Sequence, residues 1–106
     1  MFRKRKVTSF ICVDKTNNQK ITKDSLYKKA RRRGELDTGY HFLLTNAGTL
    51  TADRDIEAVA AHSFPNAEES IYILALTFNS HLSDAQRLIV NKLGRKYNAK
   101  IKEKEV

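Results

Sequence analysis

The chain has 106 residues, enough for one domain with a modest core and too few for two. Hydrophobic residues make up 41% and charged residues 30%, so the chain folds and dissolves, and its longest apolar run, Ile71 to Leu76, is too short to cross a bilayer. Twenty Lys and Arg against twelve Asp and Glu give a net charge of +8, which suits phosphates or an acidic protein surface.

The N-terminus carries Arg3, Lys4, Arg5 and Lys6, but the residues after them lack the apolar length and cleavage site of a signal peptide. A cytoplasmic protein is expected, in the host if the source is viral. The single cysteine, Cys12, excludes an internal disulfide and fits a reducing compartment. Lys6 to Val13 is β-branched and aromatic and predicts a strand ending at Asp14-Lys15-Thr16. Thr22 is placed to cap a helix over Lys23 to Arg33, with Asp24 in the first turn, a narrow stripe of Leu26, Tyr27 and Ala30, and Arg31, Arg32 and Arg33 before the stop at Gly34.

Tyr40 to Thr45 and Thr49 to Ala52 flank Asn46-Ala47-Gly48 and predict a hairpin with Gly48 in the left-handed position. A short helix is expected over Asp55 to Ala61. Ser70 to Phe78 is nearly continuous apolar sequence, as in a central strand covered on both faces. Ser83 and Gln86 form a capping-box signature, and Ala85, Leu88, Ile89 and Leu93 follow the helical period. Gly94 interrupts that pattern, and Asn98 to Val106 returns as a short polar strand or tail. The order β-α-β-β-α-β predicts an α/β (α+β) domain: a mixed central sheet flanked by helices.

Leu36-Asp37-Thr38-Gly39-Tyr40-His41-Phe42 resembles the L-D-x-G-Y-H-F segment of N-acetylmuramoyl-L-alanine amidases, a family that includes phage lysozymes and peptidoglycan-recognition proteins. The resemblance runs on through Gly48-Thr49-Leu50, Asp53-Arg54-Asp55, Ala58-Val59-Ala60-Ala61-His62, Ser70-Ile71 and the last helix near Ala85-Gln86. It covers about residues 8 to 104 and implies a mixed sheet with flanking helices. In that family zinc activates water against the lactyl-amide bond between muramic acid and the stem peptide, held by two His and a Cys.

Carried over, the first ligand position matches Cys12 and the second falls near Lys104, while the family's third ligand, a Cys, would lie past Val106. Tyr40, which the resemblance assigns to assisting the carbonyl, is kept. Cys12, Tyr40 and Lys104 therefore read as vestigial positions of a pseudoenzyme without zinc or other cofactor, one domain over 1–106 that lacks the C-terminal zinc-ligand segment. Cys12, His41, His62 and His81 show no metal-ligand spacing. Arg31, Arg32, Arg33, Tyr40 and His62 are the candidate binding residues, His62 as part of the old substrate groove.

The function expected is binding of a macromolecule, foremost a protein with an acidic or nucleic-acid-bound surface, as in a virus-encoded inhibitor of a defence nuclease or a polymerase. A muropeptide-binding module is the alternative. Nucleic acid is a further one, not favoured, because no nucleic-acid motif or stacking platform accompanies the arginines. A polar last strand leaves a sheet edge, which makes a homodimer conceivable.

Overall fold

The computed structural model describes residues 4–32, 38–61 and 64–106. Its elements are β1 (Phe10–Thr16), α1 (Lys23–Arg32), β2 (Phe42–Leu44), β3 (Leu50–Ala52), a 3-10 turn at Ala67–Glu69, β4 (Ser70–Leu76), α2 (Asp84–Tyr97) and β5 (Lys100–Glu105). They build one mixed five-stranded sheet in the order β3-β2-β4-β1-β5. Only the β2–β3 hairpin is antiparallel; β2–β4, β4–β1 and β1–β5 run parallel. The mixed sheet flanked by helices is the architecture expected from the sequence.

Side-chain alternation divides the sheet into two faces. Ile11 and Val13 of β1 and Ile71, Ile73 and Ala75 of β4 point one way and pack with Leu44, Leu82 and Val90 beneath α2. Each of the large aliphatic side chains here contributes about 1.5–3 kcal/mol by burial. On the other face, Leu43, Leu74 and Leu76 meet Ile21 and Leu26 under α1. Cys12 and Tyr72 meet Ala60, Ala67 and Phe64 from the segment before β4. β4 is therefore buried over its whole length, which is why its sequence carries no polar alternation.

Both helices are capped as their sequences predict. The Thr22 hydroxyl accepts from Ser25 N–H, and Ser25 Oγ accepts from Thr22 N–H in return. At α2 the Ser83–Gln86 capping box is closed in both directions, and Asn98 ends the helix in a left-handed conformation. Gly94 is tolerated mid-helix because a Cβ there would lie 3.2 Å from Ile101 Cδ1, so the glycine lets α2 approach β5 closely. Gly48 takes the left-handed position of the hairpin turn at φ +93°, with Thr45 accepting its N–H.

Four expectations need correction. β1 does not span Lys6 to Val13 but Phe10–Thr16, because parallel neighbours on both sides pair with every residue from Phe10 to Lys15. Asp55 to Ala61 is not a helix: Asp55 turns the chain by accepting from Glu57 N–H with its side chain and from Ala58 N–H with its carbonyl. Beyond that turn the chain is extended, held by Ala60 N–H to Ala67 and Ala61 N–H to Gly39. The order β-α-β-β-α-β is one strand short, because the central strand expected at Ser70 to Phe78 stands between the hairpin and α2 as β4. Of the apolar stripe expected on α1, Leu26 packs inward and Tyr27 is 40% exposed, since one residue along a helix turns the side chain by about 100°; the Ala30 side chain, Arg33, Gly34 and His62 lie outside the described residues.

Candidate functional site

Tyr40 packs against both patches that cover the second sheet face, and beside it a cleft lies between α1 and the Phe64–Pro65 segment. Its volume is about 600 Å³. Asp14 and Thr16 of β1, Tyr72 and Leu74 of β4, Tyr40 and Phe64 line its floor and walls, and Lys29 and Lys104 also line it. Strand alternation places Asp14 and Thr16 on the face that already carries Cys12, two residues earlier. Asp14 is also the register partner of Lys104 on β5, so the two side chains are neighbours on one face of a parallel pair.

Tyr40 organises the site. Its hydroxyl donates to Asp14 Oδ2 at 2.7 Å, across 26 residues of sequence. Its ring lies 4.9 Å from Phe64 and 6.3 Å from Tyr72, and Phe64 and Tyr72 are 4.6 Å apart, all centroid to centroid. These tilted contacts form an aromatic wall above a buried carboxylate. Gly39 makes the wall possible: at φ +87° it takes a backbone that side chains avoid, and a Cβ there would lie 2.7 Å from Ala61 Cβ and 3.2 Å from the Phe64 ring.

The surrounding hydrogen bonds fix the wall to the sheet. Thr38 N–H and hydroxyl both donate to Asp53 Oδ2. His41 is fully buried; its Nδ1 accepts from Tyr72 N–H at 3.0 Å, so the proton sits on Nε2, which donates to the Ala58 carbonyl at 2.7 Å. Tyr72 donates its hydroxyl to the Pro65 carbonyl. Burial, and then the neighbouring Cys12 and Asp14, push the Tyr72 phenol well above its ordinary value of 10.0, so it stays neutral.

Of the residues singled out from the sequence, the structure brings Tyr40 and Lys104 together in the cleft. Cys12 is buried beneath it, packed against Ala60, Ala67 and Tyr72. Arg31 and Arg32 lie on exposed turns of α1, where Arg31 bonds and stacks on Tyr27 of its own helix. Arg33 and His62 lie outside the described residues. Sequence reasoning missed Asp14, read as a strand end, although it continues the alternation that starts at Phe10. It also missed Phe64 and Tyr72, whose roles depend on contacts far along the chain.

The donor set does not suit zinc among the described residues. The cleft offers one carboxylate, Asp14, with an oxygen engaged by Tyr40, and beside it a Lys whose ammonium repels a cation. No three His, Cys, Asp or Glu side chains converge among the described residues.

Comparison with protein-family models and with curated protein sequences returned no match. Among solved structures, the chain is similar to the N-acetylmuramoyl-L-alanine amidase LysC from Clostridium intestinale, at TM-score 0.74 and 23% identity, covering 91% of this chain and 69% of that one. It is similar to the endolysin amidase LysCS from the same organism at TM-score 0.73 and 25% identity, over 91% and 68%. The peptidoglycan-recognition protein PGRP-Hd from Alvinella pompejana matches at TM-score 0.72 and 16% identity, over 93% and 72%. The fold is thus that of the amidases and peptidoglycan-recognition proteins, and the chain is shorter than these neighbours.

Proposed function

We propose that this chain is an amidase-fold module that binds its ligand without hydrolysing it, and that the ligand is a muropeptide seated in the cleft beside Tyr40. The observation that carries this reading is the Asp14–Tyr40 hydrogen bond beside Lys104. At the two positions in this chain where the family resemblance calls for metal ligands stand Cys12, buried beneath the cleft, and Lys104, and the cleft itself offers a tethered carboxylate, an ammonium and an aromatic wall. Such a surface can hold a peptide by its amides and carboxylates, with an apolar side chain against Tyr40, Phe64 and Leu74. Among the described residues no set of metal-ligating side chains stands ready to activate water.

The test is retention on purified peptidoglycan together with assay of released stem peptide, with zinc added. Retention without release, weakened at least about tenfold by Tyr40→Ala, is expected. Release of peptide, or no retention at all, would overturn the proposal.

A second reading is supported by the exposed cations of β5 and of the end of α1. In it the module acts in the cytoplasm on an acidic protein, as a virus-encoded inhibitor of a defence nuclease or a polymerase would. Stoichiometric recovery of one such enzyme, with inhibition of its activity by the purified chain, would support it; an unaffected enzyme would remove it.

A further inference from the structure

β5 stands at the end of the sheet, and among the described residues no strand pairs with its outer side. Lys100 and Val106 send their N–H groups to the carbonyls of Ser9, just before β1, and of Lys15 within it. Alternation then turns the N–H and C=O groups of Ile101, Glu103 and Glu105 outward, in a row open to a further strand. The same alternation sorts the side chains. Lys100, Lys102 and Lys104 share the cleft face, and Ile101, Glu103 and Glu105 share the α2 face.

The two faces are not equivalent electrically. Glu103 is engaged by Lys15 at 3.3 Å and Arg87 at 3.5 Å. Of the lysines on the other face, Lys104 neighbours Asp14, while Lys100 and Lys102 have no carboxylate partner among the described residues; Lys102 lies 3.9 Å from the Phe10 ring centroid, a contact that keeps its charge. An outward row of backbone groups is therefore bordered on one face by three lysines, two of them without a carboxylate partner among the described residues.

A second copy is a poor occupant. Two β5 strands paired antiparallel about a two-fold axis would set residues of equal parity opposite each other, Lys102 against Lys102 or Lys100 against Lys104. Every register stacks lysine on lysine, and like charges directly opposite destabilise a strand pair. An acidic strand reverses the sign of each of those contacts.

The geometry points to the outer edge of β5 as a docking site for an extended acidic peptide of a partner protein, which adds a sixth strand and sets alternate carboxylates opposite Lys100, Lys102 and Lys104. Lys104 also lines the cleft, whereas Lys100 and Lys102 lie outside it, so reversal of these two tests the edge without touching the cleft.

The test uses the whole chain and a capped peptide alternating Glu with Val, with a Lys–Val peptide as control. Two variants separate backbone pairing from charge. Glu103→Pro removes an outward N–H that β1 does not use, with Glu103→Gln as the control for the lost ion pairs. Lys100→Glu with Lys102→Glu reverses the stripe. The acidic peptide should bind with a salt-sensitive affinity, slow the amide exchange of residues 101, 103 and 105, and lose about tenfold or more with Glu103→Pro and with the double reversal, but not with Glu103→Gln. If Glu103→Pro fails to fold, the double reversal and the exchange pattern carry the test. No saturable binding up to about 1 mM, unchanged binding in the folded variants, or a dimer in which those amides are already protected would overturn it.

Discussion

The Tyr40 hydroxyl donates to Asp14 Oδ2 at 2.7 Å, joining the loop before β2 to the middle of β1 and closing one wall of the cleft. Asp14 is only 6% exposed, so this bond satisfies a carboxylate that would otherwise be held from water with fewer partners. Tyr40→Phe should cost about 1–3 kcal/mol in urea unfolding, and a double-mutant cycle with Asp14→Asn should show coupling. Strictly additive losses would mean that the bond contributes nothing to stability.

His41 is the second tie between the cleft loop and the sheet. Because Nδ1 accepts from a backbone N–H and Nε2 faces a carbonyl, nitrogen NMR should find the neutral Nε2–H form. His41→Leu should destabilise by roughly 1–3 kcal/mol, since it leaves the buried Tyr72 N–H unpaired and the Ala58 carbonyl with Arg5 alone. A ring protonated on Nδ1, or a loss under about 1 kcal/mol, would contradict the arrangement.

Gln86 joins the start of α2 to the sheet: Nε2 donates to the carbonyls of Leu44 and Leu76, and Oε1 accepts from Ser83 N–H. Gln86→Glu sets a carboxylate against two carbonyl oxygens in a fully buried position, which favours its protonated form in the fold. The variant's deficit should then be small below about pH 4, the unfolded carboxyl value, and grow as pH rises above it. Denaturation of both proteins across that range checks the sign, and a deficit independent of pH would exclude the arrangement.

Tyr72 carries an alkaline signature. Its phenol is raised by burial first, then by Cys12 and Asp14, so the folded chain keeps the proton that the unfolded chain loses near 10.0. The stability this group contributes is complete below that value and is lost as pH rises through it. Absorbance titration should show one tyrosine ionising only with unfolding, and Tyr72→Phe should remove that late step. Four tyrosines titrating together in the folded protein would refute it.

Much of the fold was legible because it rests on local rules. Continuous apolar sequence marked the central strand, Thr22 and Ser83 marked helix starts, and Asn46-Ala47-Gly48 marked the hairpin turn. Each depends on residues within a few positions of one another. The segment Asp55 to Ala61 misled because its composition suits a helix, while the N–H groups of Ala60 and Ala61 go to the carbonyls of Ala67 and Gly39, acceptors distant in sequence, in place of carbonyls one turn back.

The sequence by itself determined the strand and helix types, the caps, the excess of positive charge and the amidase-like order of motifs. Only the tertiary structure decided which residues share the cleft. Asp14 looks like a strand terminus until Tyr40 and Lys104 are brought to it, the first by folding of a distant loop and the second by parallel register. Periodicity reports which way a side chain points along its own element. It carries no information on which distant element stands opposite, and that choice is made by burial across the whole chain.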